Sequence, residues 1–433
     1  MSNKKQSSRI PLKIRLFFRH YPAIPYLLKW LFISSVIGTC IGIASAIFLI
    51  TLDWVGNFRE THLWLIALLP LGGFAIGWLY MRLGKSIEAG NNLLIDTIHQ
   101  PQEIIQFRMA PFIYLGTLLT HLLGGSAGRE GTALQMAGAI ADQFSKPFRL
   151  NENERKTLLI AAIAAGFGSV FGTPLAGAVF GLEFFLIGRL RYDAIFPAFL
   201  AAIIADLVTK LCGAYHTVYH ISIVPDVSAL SILYAILAGI AAGVCAATFS
   251  RTIHYIGSLF KKYISYPPFR PFVGGLIVAT AVWLIGTTKY IGLGIPTIVQ
   301  AFNEPLPAYD FALKMAFTIL TLAAGFKGGE VTPLFFIGAT LGNALAYIIP
   351  LPMGLLTGMG FVAVFAGATN TPLACMLMGI ELFGHQCGIY VAIACVVAYL
   401  TSGHTSIYQK QMIGEPKHSR FANLKGKRIN EIK

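Results

Sequence analysis

The chain of 433 residues is 55% hydrophobic and only 12% charged, and its mean hydropathy is +0.67. This composition excludes an ordinary soluble globular protein and is typical of an integral membrane protein. The net charge of +14 does not indicate a nucleic-acid partner, because the basic residues gather at the two ends of the chain. They precede the first apolar stretch at Lys4, Lys5, Arg9, Lys13, Arg15 and Arg19, and they follow the last one at Lys410, Lys417, Arg420, Lys425, Lys427, Arg428 and Lys433.

These basic ends predict how the chain is oriented. Lys and Arg concentrate on the cytoplasmic side of membrane proteins, so we expect both termini in the cytoplasm and an even number of crossings of the cell membrane. Residues 1–26 are expected to form a basic N-terminal segment and residues 409–433 a short basic tail. Both are expected to lie against anionic lipid headgroups.

Apolar stretches recur through the middle of the chain and predict an all-α, polytopic membrane protein. A transmembrane barrel would need alternating strands of about ten residues, and the sequence lacks them. Several stretches are rich in glycine or shorter than the roughly twenty residues of a simple span, so broken and re-entrant helices are expected. The clearest stretches are 27–50, 64–83, 109–127, 157–188, 194–213, 228–248, 272–291, 311–326, 331–350, 352–382 and 387–402.

Residues 128–139 and 328–339 match without a gap, and each segment carries a glutamate inside apolar sequence. Glu130 and Glu330 occupy the same position in the two segments. An acid at the centre of a membrane helix costs roughly 2.5–3.5 kcal/mol on insertion scales, so two acids in register need a functional explanation. Repeated halves with ionisable groups beside glycine-broken apolar sequence indicate a transport site.

A second matched pair supports the duplication. Residues 172–176 read GTPLA and residues 370–374 read NTPLA, and Glu183 and Glu381 follow them at equal spacing. We expect these two glutamates to be structural, at helix ends or in buried hydrogen bonds. The two pairs predict one transmembrane domain, 27–408, with repeated halves at about 27–213 and 228–402.

Three glycine-rich segments precede apolar sequence of helical period, so each is expected to open a helix. A helix N-terminus has free N–H groups and the positive end of a dipole, and both favour an anion. The segments are Gly124–Thr132 with Glu130, Gly328–Pro333 with Glu330 and Thr332, and Glu88–Leu93 with Asn91.

Glu130 is the leading candidate for chemistry, because its carboxylate would compete with an anion for the same positive pocket. Protonation would release it, which couples proton uptake to anion entry. The alternative is a glutamate that only complements the dipole of its own helix. For Glu330 and Thr332 the alternatives are dipole complementation and N-capping, and Asn91 alone favours a cap. Tyr408, after the last span, favours an interfacial tyrosine.

Other polar residues carry weaker signals. His121 and His385 have no partner at metal-ligand spacing, so we expect buried structural histidines and no metal site. The six cysteines are expected to be free and buried, and no cofactor is expected. Gly124–Gly128 fits the G-x-S-x-G pattern of serine hydrolases at Ser126. Because the strand–turn–helix setting and the triad partners are missing, an intramembrane serine protease stays a distant alternative to a non-enzymatic carrier.

The three helix starts, in this order, resemble the CLC chloride channel and transporter family over roughly residues 30–408. The family's GSGIP-like, GREGP-like and GxFxP-like segments correspond to residues 90–92, 128–132 and 329–333. The resemblance implies a CLC-type fold with inverted halves. It also implies a homodimer with one anion pathway in each subunit.

Departures from the chloride-selective pattern resemble the fluoride/proton antiporter clade of the family, also described as EriC-type. Asn91 stands at the position of a serine, Val331 at that of a phenylalanine, and Thr132 at that of a proline. Glu330 replaces an aliphatic residue. Phe184 stands where the chloride/proton exchangers have their internal proton-transfer glutamate.

This resemblance implies roles for named residues. Glu130 is expected to be the gating glutamate, and Glu330 an acid that supplies part of the missing proton route. The function implied is fluoride export coupled to proton entry; a chloride channel, a chloride/proton exchanger and an organic-anion carrier remain alternatives. An organic-anion carrier needs basic clamps, and only Arg129 and Lys327 lie near the motifs. The implied anion-site residues are Asn91, Gly128, Arg129, Gly131, Val331, Thr332 and Tyr408.

Overall fold

The computed structural model describes residues 23–432, which form sixteen α-helices and two short strands, β1 (Leu186–Ile187) and β2 (Met412–Ile413). The predicted all-α fold is confirmed, whereas the basic positions Lys4 to Arg19 and Lys433 lie outside the described residues. The helices are α1 (Ala23–Thr61), α2 (Leu69–Leu83), α3 (Asn91–His99), α4 (Met109–Leu122), α5 (Glu130–Asp142), α6 (Glu152–Phe171), α7 (Pro174–Glu183), α8 (Ile195–Leu211), α9 (Ala229–Tyr263), α10 (Phe269–Ile285), α11 (Ile295–Ala301), α12 (Asp310–Ala324), α13 (Val331–Leu345), α14 (Met353–Thr369), α15 (Pro372–Phe383) and α16 (Gly388–Thr401).

Helices of very different length make up this bundle. Within residues 23–432, four helical stretches are long and apolar enough to cross a membrane: Ala23–Thr61, Leu63–Leu83, Tyr192–Leu211 and Ala229–Tyr263. Shorter apolar helices accompany them, and α5 and α13 are buried along nearly their whole length. Short helices can end at membrane depth only where protein surrounds their free backbone groups, and this packing provides that shelter.

In the part of the chain that the structure describes, each half contributes eight helices, α1–α8 and α9–α16, and the helices break at matching points. The apolar stretch 157–188 is split where α6 ends at Gly172 (φ 72°), and 352–382 is split where α14 ends at Asn370 (φ 60°). Glycine and asparagine are the residues that best tolerate this left-handed conformation. The expectation of broken helices is therefore confirmed.

Reciprocal carboxylates link the two halves at α7 and α15. Each helix opens with a proline, and neither preceding threonine makes a capping hydrogen bond, so the next N–H groups need another acceptor. Glu183 accepts from the N–H groups of residues 373–374 at 3.3 and 3.0 Å, and Glu381 from those of residues 175–176 at 3.0 and 2.8 Å. The predicted place of both glutamates, at helix ends in hydrogen bonds, is confirmed. Each helix therefore starts beside the end of the other, so α7 and α15 run antiparallel.

The C-terminal segment is held by protein contacts. Its strand β2 pairs in parallel with β1, and Arg428 Nη1 lies 2.7 Å from Asp96 Oδ1. Hydrogen bonds from Lys425 and from Arg189 to the Glu415 carboxylate hold the pKa of that exposed acid below its usual range. The charges of Arg428 and Lys425 are therefore paired with acids of the protein, and the contact of the basic tail with headgroups stays a prediction.

Two further expectations need correction. His121 is buried as predicted, but His385 is exposed in a 3-10 turn, His385–Cys387, that follows α15. All six cysteines are free, yet Cys212 is exposed because it lies at the end of α8, where the chain leaves the bundle. Apolar sequence around a residue thus does not guarantee burial at a helix end.

Candidate functional site

The N-termini of the matched helices α5 and α13 meet inside the protein. The N–H of Gly128 donates to Gly329 O at 2.6 Å, and the N–H of Gly329 donates to Gly128 O at 2.9 Å. A Cβ atom on Gly131 would lie 3.0 Å from the Cα of Gly329, so this close approach needs glycine. The predicted helix starts are confirmed, at Asn91 for α3, Glu130 for α5 and Val331 for α13.

Glu130 reaches from one half of the chain to the other. Its side chain is fully buried, and its carboxylate accepts hydrogen bonds from Val331 N–H and from Thr332 Oγ1, the latter at 2.8 Å. The N–H of Arg129 donates to the same carboxylate at 3.0 Å. Two of these donors belong to the first turn of α13, so Glu130 does more than complement its own helix. Its carboxylate stands where a helix N-terminus presents donors to an anion.

Thr332 is not an N-cap, contrary to one interpretation of the sequence. The N-cap position of α13 is Glu330, no side chain caps the helix, and the Thr332 hydroxyl donates to Glu130. Asn91 is the first residue of α3, and the cap position before it is Gly90 (φ 58°). The cap interpretation of Asn91 is therefore wrong as well. Neither the Thr332 side chain nor the Asn91 side chain caps a helix.

A cavity of about 140 Å³ lies beside the junction of α5 and α13, and we call it the Asn91 cavity. The Asn91 Oδ1 and Tyr408 hydroxyl atoms are buried without a hydrogen-bond partner among residues 23–432. Buried polar atoms in native proteins nearly always have partners, so these atoms indicate a polar occupant of the cavity. Among its lining residues are Glu88, Asn91, Gln135, Lys327, Glu330 and Tyr408.

Tyr408 is an interior residue and not an interfacial one. It is 2% exposed, and its ring packs edge-to-face on Phe184, with 4.7 Å between ring centroids. Phe184 is fully buried, so an apolar ring occupies the position where the resemblance expects the internal glutamate of the exchangers. A phenyl ring has neither a donor nor an acceptor and cannot carry a proton.

Arg129 precedes Glu130 in the chain and lines a different cavity. Together with Thr332 it lines a small void of about 10 Å³, which we call the Arg129 cavity. The guanidinium lies 5.9 Å from the ring centroid of Phe171, and its Nε has no hydrogen-bond partner within the described chain. Thr332, which lines the Arg129 cavity, binds Glu130, and Gly131, the residue after Glu130, abuts Asn91 of the Asn91 cavity, so Glu130 is adjacent to residues that line both cavities.

Glu330 occupies a different environment from its sequence counterpart. It lines the Asn91 cavity, and none of the side-chain hydrogen bonds among residues 23–432 involves its carboxylate. The two acids therefore play unequal parts: Glu130 closes the junction of the two halves, and Glu330 faces the space next to it.

Ser126 lacks the surroundings of a nucleophile. It is fully buried, its Oγ lies 2.9 Å from Thr318 Oγ1, and its N–H donates to Thr321 Oγ1 at 3.1 Å. Within the described chain neither a histidine nor a carboxylate shares a hydrogen bond with this hydroxyl. The G-x-S-x-G match thus has no catalytic geometry behind it.

Sequence reasoning missed Gln135 and Glu88, and it considered Lys327 only as a clamp for a larger anion. Gln135 is 7% exposed and lines the cavity from α5. One signal was available for it: a glutamine on a helix that is otherwise almost wholly apolar and buried. No local signal marks Glu88 or Lys327, because only the packing of α2, α4 and α12 brings their loops to the cavity.

Comparisons with known proteins identify the family and the fold of this chain. The profile of the voltage gated chloride channel family matches residues 72–403. A chloride/fluoride channel protein of Pseudomonas syringae pv. tomato is 53% identical over 403 residues, covering 92% of this chain and 89% of that protein. The crystal structure of a CLC-type fluoride/proton antiporter superposes with a TM-score of 0.86 at 35% identity, covering 89% of this chain and 98% of that one.

A more distant structure shares the fold. A slow cyanobacterial Cl⁻/H⁺ antiporter, 19% identical, superposes with a TM-score of 0.75 over 86% of this chain and 94% of its own. The family match spans most of the membrane domain and includes all three glycine-rich helix starts. The chain therefore belongs to the voltage gated chloride channel family, as its resemblance to the CLC proteins predicts.

Proposed function

We propose that this membrane transporter exports fluoride from the cytoplasm in exchange for protons, with Glu130 as the gate. The observation that carries the proposal is the set of donors around that carboxylate: Val331 N–H, the Thr332 hydroxyl and Arg129 N–H. An anion of similar charge would take the same donors. Carboxylate and anion are therefore competitors for one place.

Protonation decides which of the two competitors wins. An ionised Glu130 is a strong acceptor for charge-assisted hydrogen bonds, whereas a protonated one is a weak acceptor and brings its own O–H donor. Once protonated, the side chain leaves the N-terminus of α13, and an anion moves from the Asn91 cavity toward the Arg129 cavity. When Glu130 returns it gives up its proton, so each cycle moves an anion and a proton in opposite directions.

Fluoride is the anion that fits the donor set best. It is small and strongly hydrated, so a selective site must replace its water with compact N–H and O–H donors. The Asn91 amide offers two N–H donors where a serine offers one O–H, and the Tyr408 hydroxyl lines the same cavity. A cavity of about 140 Å³ suits a monatomic anion better than a drug-sized organic one, which needs about 300 Å³ or more. The names of the relatives, a chloride/fluoride channel and a fluoride/proton antiporter, point the same way.

Further roles complete the proposal. Glu330 carries protons between Glu130 and the cytoplasmic solution, because the position of Phe184 is apolar. Gly128 and Gly131 keep the backbone open for the close approach of α5 and α13. We also propose that the subunits pair as homodimers in the cell membrane, surrounded by lipid, with both termini in the cytoplasm. Cross-linking of the purified protein in liposomes tests the pairing.

Flux measurements on purified protein in liposomes test the function. Vesicles loaded with equal fluoride and chloride are diluted into anion-free buffer, and ion-selective electrodes follow both anions while a pH dye follows protons. We expect fluoride to leave faster than chloride and protons to move inward with it. Protein-free vesicles are the control. Equal rates for the two anions would overturn the fluoride assignment, and fluoride release without proton movement would identify a channel.

A further inference from the structure

Lys327 projects into the interior with its charge unpaired. It lies between α12 and α13 and lines the Asn91 cavity. Its Nζ is 3.9 Å from the ring centroid of Tyr80, and within the described chain it takes part in neither a hydrogen bond nor an ion pair. The aliphatic part of the Lys327 side chain packs against α4 at Gly116, where an added Cβ would lie 3.0 Å from the Cβ and Cγ of Lys327.

The charges around the Asn91 cavity show why this lysine matters. Glu88 and Glu330 both line the cavity, and among the described lining residues Lys327 is the sole cation. An anion that entered between two carboxylates would be repelled. A single ammonium offsets one of the two negative charges, and at short range in a poorly screened interior that effect is large.

A second cavity shares this lysine as a lining residue with the first one. It has a volume of about 330 Å³, and we call it the Lys85 cavity. Lys85, Lys261 and Arg270 line it, and it shares Tyr80, Glu88 and Lys327 with the Asn91 cavity. Four basic side chains and one acid, Glu88, thus line the Lys85 cavity, and a cleft with an excess of positive charge concentrates anions. Lys327 therefore stands between a basic entrance and the donors next to the gate.

The contact with Tyr80 keeps the charge of Lys327 available. A carboxylate partner would neutralise the ammonium, whereas an aromatic ring holds it by its quadrupole and adds no net charge. Tyr80 is 5% exposed, so the ring is a rigid support. An ammonium that is fixed in place and free of an anionic partner is a ready binding group for a small anion.

We propose that Lys327 captures the transported anion where the Lys85 cavity meets the Asn91 cavity and delivers it to Asn91 and Tyr408. The ligand is a small hydrated anion of the halide class. This inference rests on the proposed function and adds to it an entry station that lies outside the glutamate gate. Lys327 then sets the rate and the apparent affinity of anion entry, and the glutamates exchange the protons.

The test compares the fluoride dependence of efflux for the wild-type protein and Lys327→Gln. At low ionic strength, set with impermeant potassium gluconate, we expect the half-saturating fluoride concentration to rise about tenfold, with little change in the maximum rate. The difference shrinks in concentrated salt, because screening weakens the attraction in the wild type. Lys327→Arg keeps the wild-type value. Lys262→Gln is the matched control, because Lys262 also lies over a tyrosine ring, at 5.5 Å, but lines neither cavity.

The outcomes separate this inference from the proposed function. Absence of fluoride flux in the wild type would defeat the function itself. Normal wild-type flux, together with an unchanged half-saturating concentration in Lys327→Gln at low salt, would overturn the inference alone. If Lys327→Gln does not fold, Lys327→Cys is made in a Cys212→Ser background, because Cys212 is free and exposed, and is treated after reconstitution with aminoethyl or sulfonatoethyl methanethiosulfonate beside the treated Cys212→Ser variant as control. If the positive reagent restores the wild-type affinity and the negative one does not, the inference is supported. Equal effects of the two reagents contradict it.

Discussion

The two pairs of matched glutamates in this protein differ in the symmetry of their contacts. Glu183 and Glu381 are symmetric, since each accepts two backbone hydrogen bonds from the first turn of a helix in the other half. Glu130 and Glu330 are not, since only Glu130 binds the other half and Glu330 lines a cavity. The duplicated sequence supplied both pairs. Only the second pair has lost its symmetry.

The physical demands on the two pairs explain the difference. A helix start needs acceptors for its free N–H groups, and this need is the same in both halves. A transport pathway needs one acid that can leave its donors and another group that can exchange protons beside it. Two acids competing for one set of donors would repel each other, so the pathway cannot keep the symmetry. We therefore interpret the symmetric pair, Glu183 and Glu381, as structural and the asymmetric pair, Glu130 and Glu330, as functional.

The largest effect should follow from replacing the functional pair. Glu130→Gln is expected to abolish the proton uptake that an outward fluoride gradient drives, because the amide cannot ionise and compete with the anion. Glu330→Gln is expected to slow coupled turnover about tenfold or more, as for the loss of a proton-transfer group. Fluoride and pH recordings on reconstituted vesicles measure both. If the two variants lose coupling equally, or if neither does, the assigned inequality of the two acids fails.

A backbone position next to the gate sharpens the same comparison. At Gly131 an added Cβ would lie 3.0 Å from the Cα of Gly329 and 3.1 Å from the Asn91 Nδ2, whereas the matched position in α13 holds Val331. Gly131→Ala is therefore expected to push the two helix starts apart. Overpacking of this kind costs about 1–3 kcal/mol, and we expect fluoride flux to fall about tenfold.

Gly56→Ala is the matched control for that substitution. Gly56 lies in α1, and an added Cβ there has no atom within 4 Å. Alanine is favoured over glycine in a helix by about 1 kcal/mol, so this variant should retain its flux and melt no earlier than the wild type. Wild-type flux in Gly131→Ala would show that the close contact of α5 and α13 is dispensable.

The sequence predicts the parts of this site that are local. Glycine before a helical period marks the starts of α3, α5 and α13, and the repeat identifies all four glutamates. The partners of these residues lie about 200 positions away in the chain, so which donor meets Glu130 cannot be inferred locally. Lys327 was missed as a pathway residue for the same reason, whereas Gln135 carries a local signal, as a glutamine on an otherwise apolar helix. The exposure of His385 depends on where α15 ends.

Tyr408 and Arg428 have residue types that suit a membrane surface, but the fold places both against other parts of the protein. Tyr408 follows the last helix and suits a membrane interface, but its segment turns inward and packs on Phe184. Arg428 suits a headgroup, but β2 brings its segment to Asp96. In both cases a short non-helical segment is positioned by tertiary pairing, which leaves no periodic pattern in the sequence.

The smallest effect on transport should come from the symmetric pair, where stability is the quantity that changes. Glu183→Ala leaves two N–H groups of α15 without an acceptor, one of them buried and the other part-buried, and an unsatisfied buried group costs about 1–3 kcal/mol. Glu381→Ala should cost less, because Glu381 is partly exposed and water can replace its carboxylate, whereas Glu183 is 5% exposed. Thermal unfolding in detergent measures both, and the flux per folded molecule is expected to remain at the wild-type value. Loss of proton coupling in either variant would place this pair in the pathway and would end the separation of symmetric from functional glutamates.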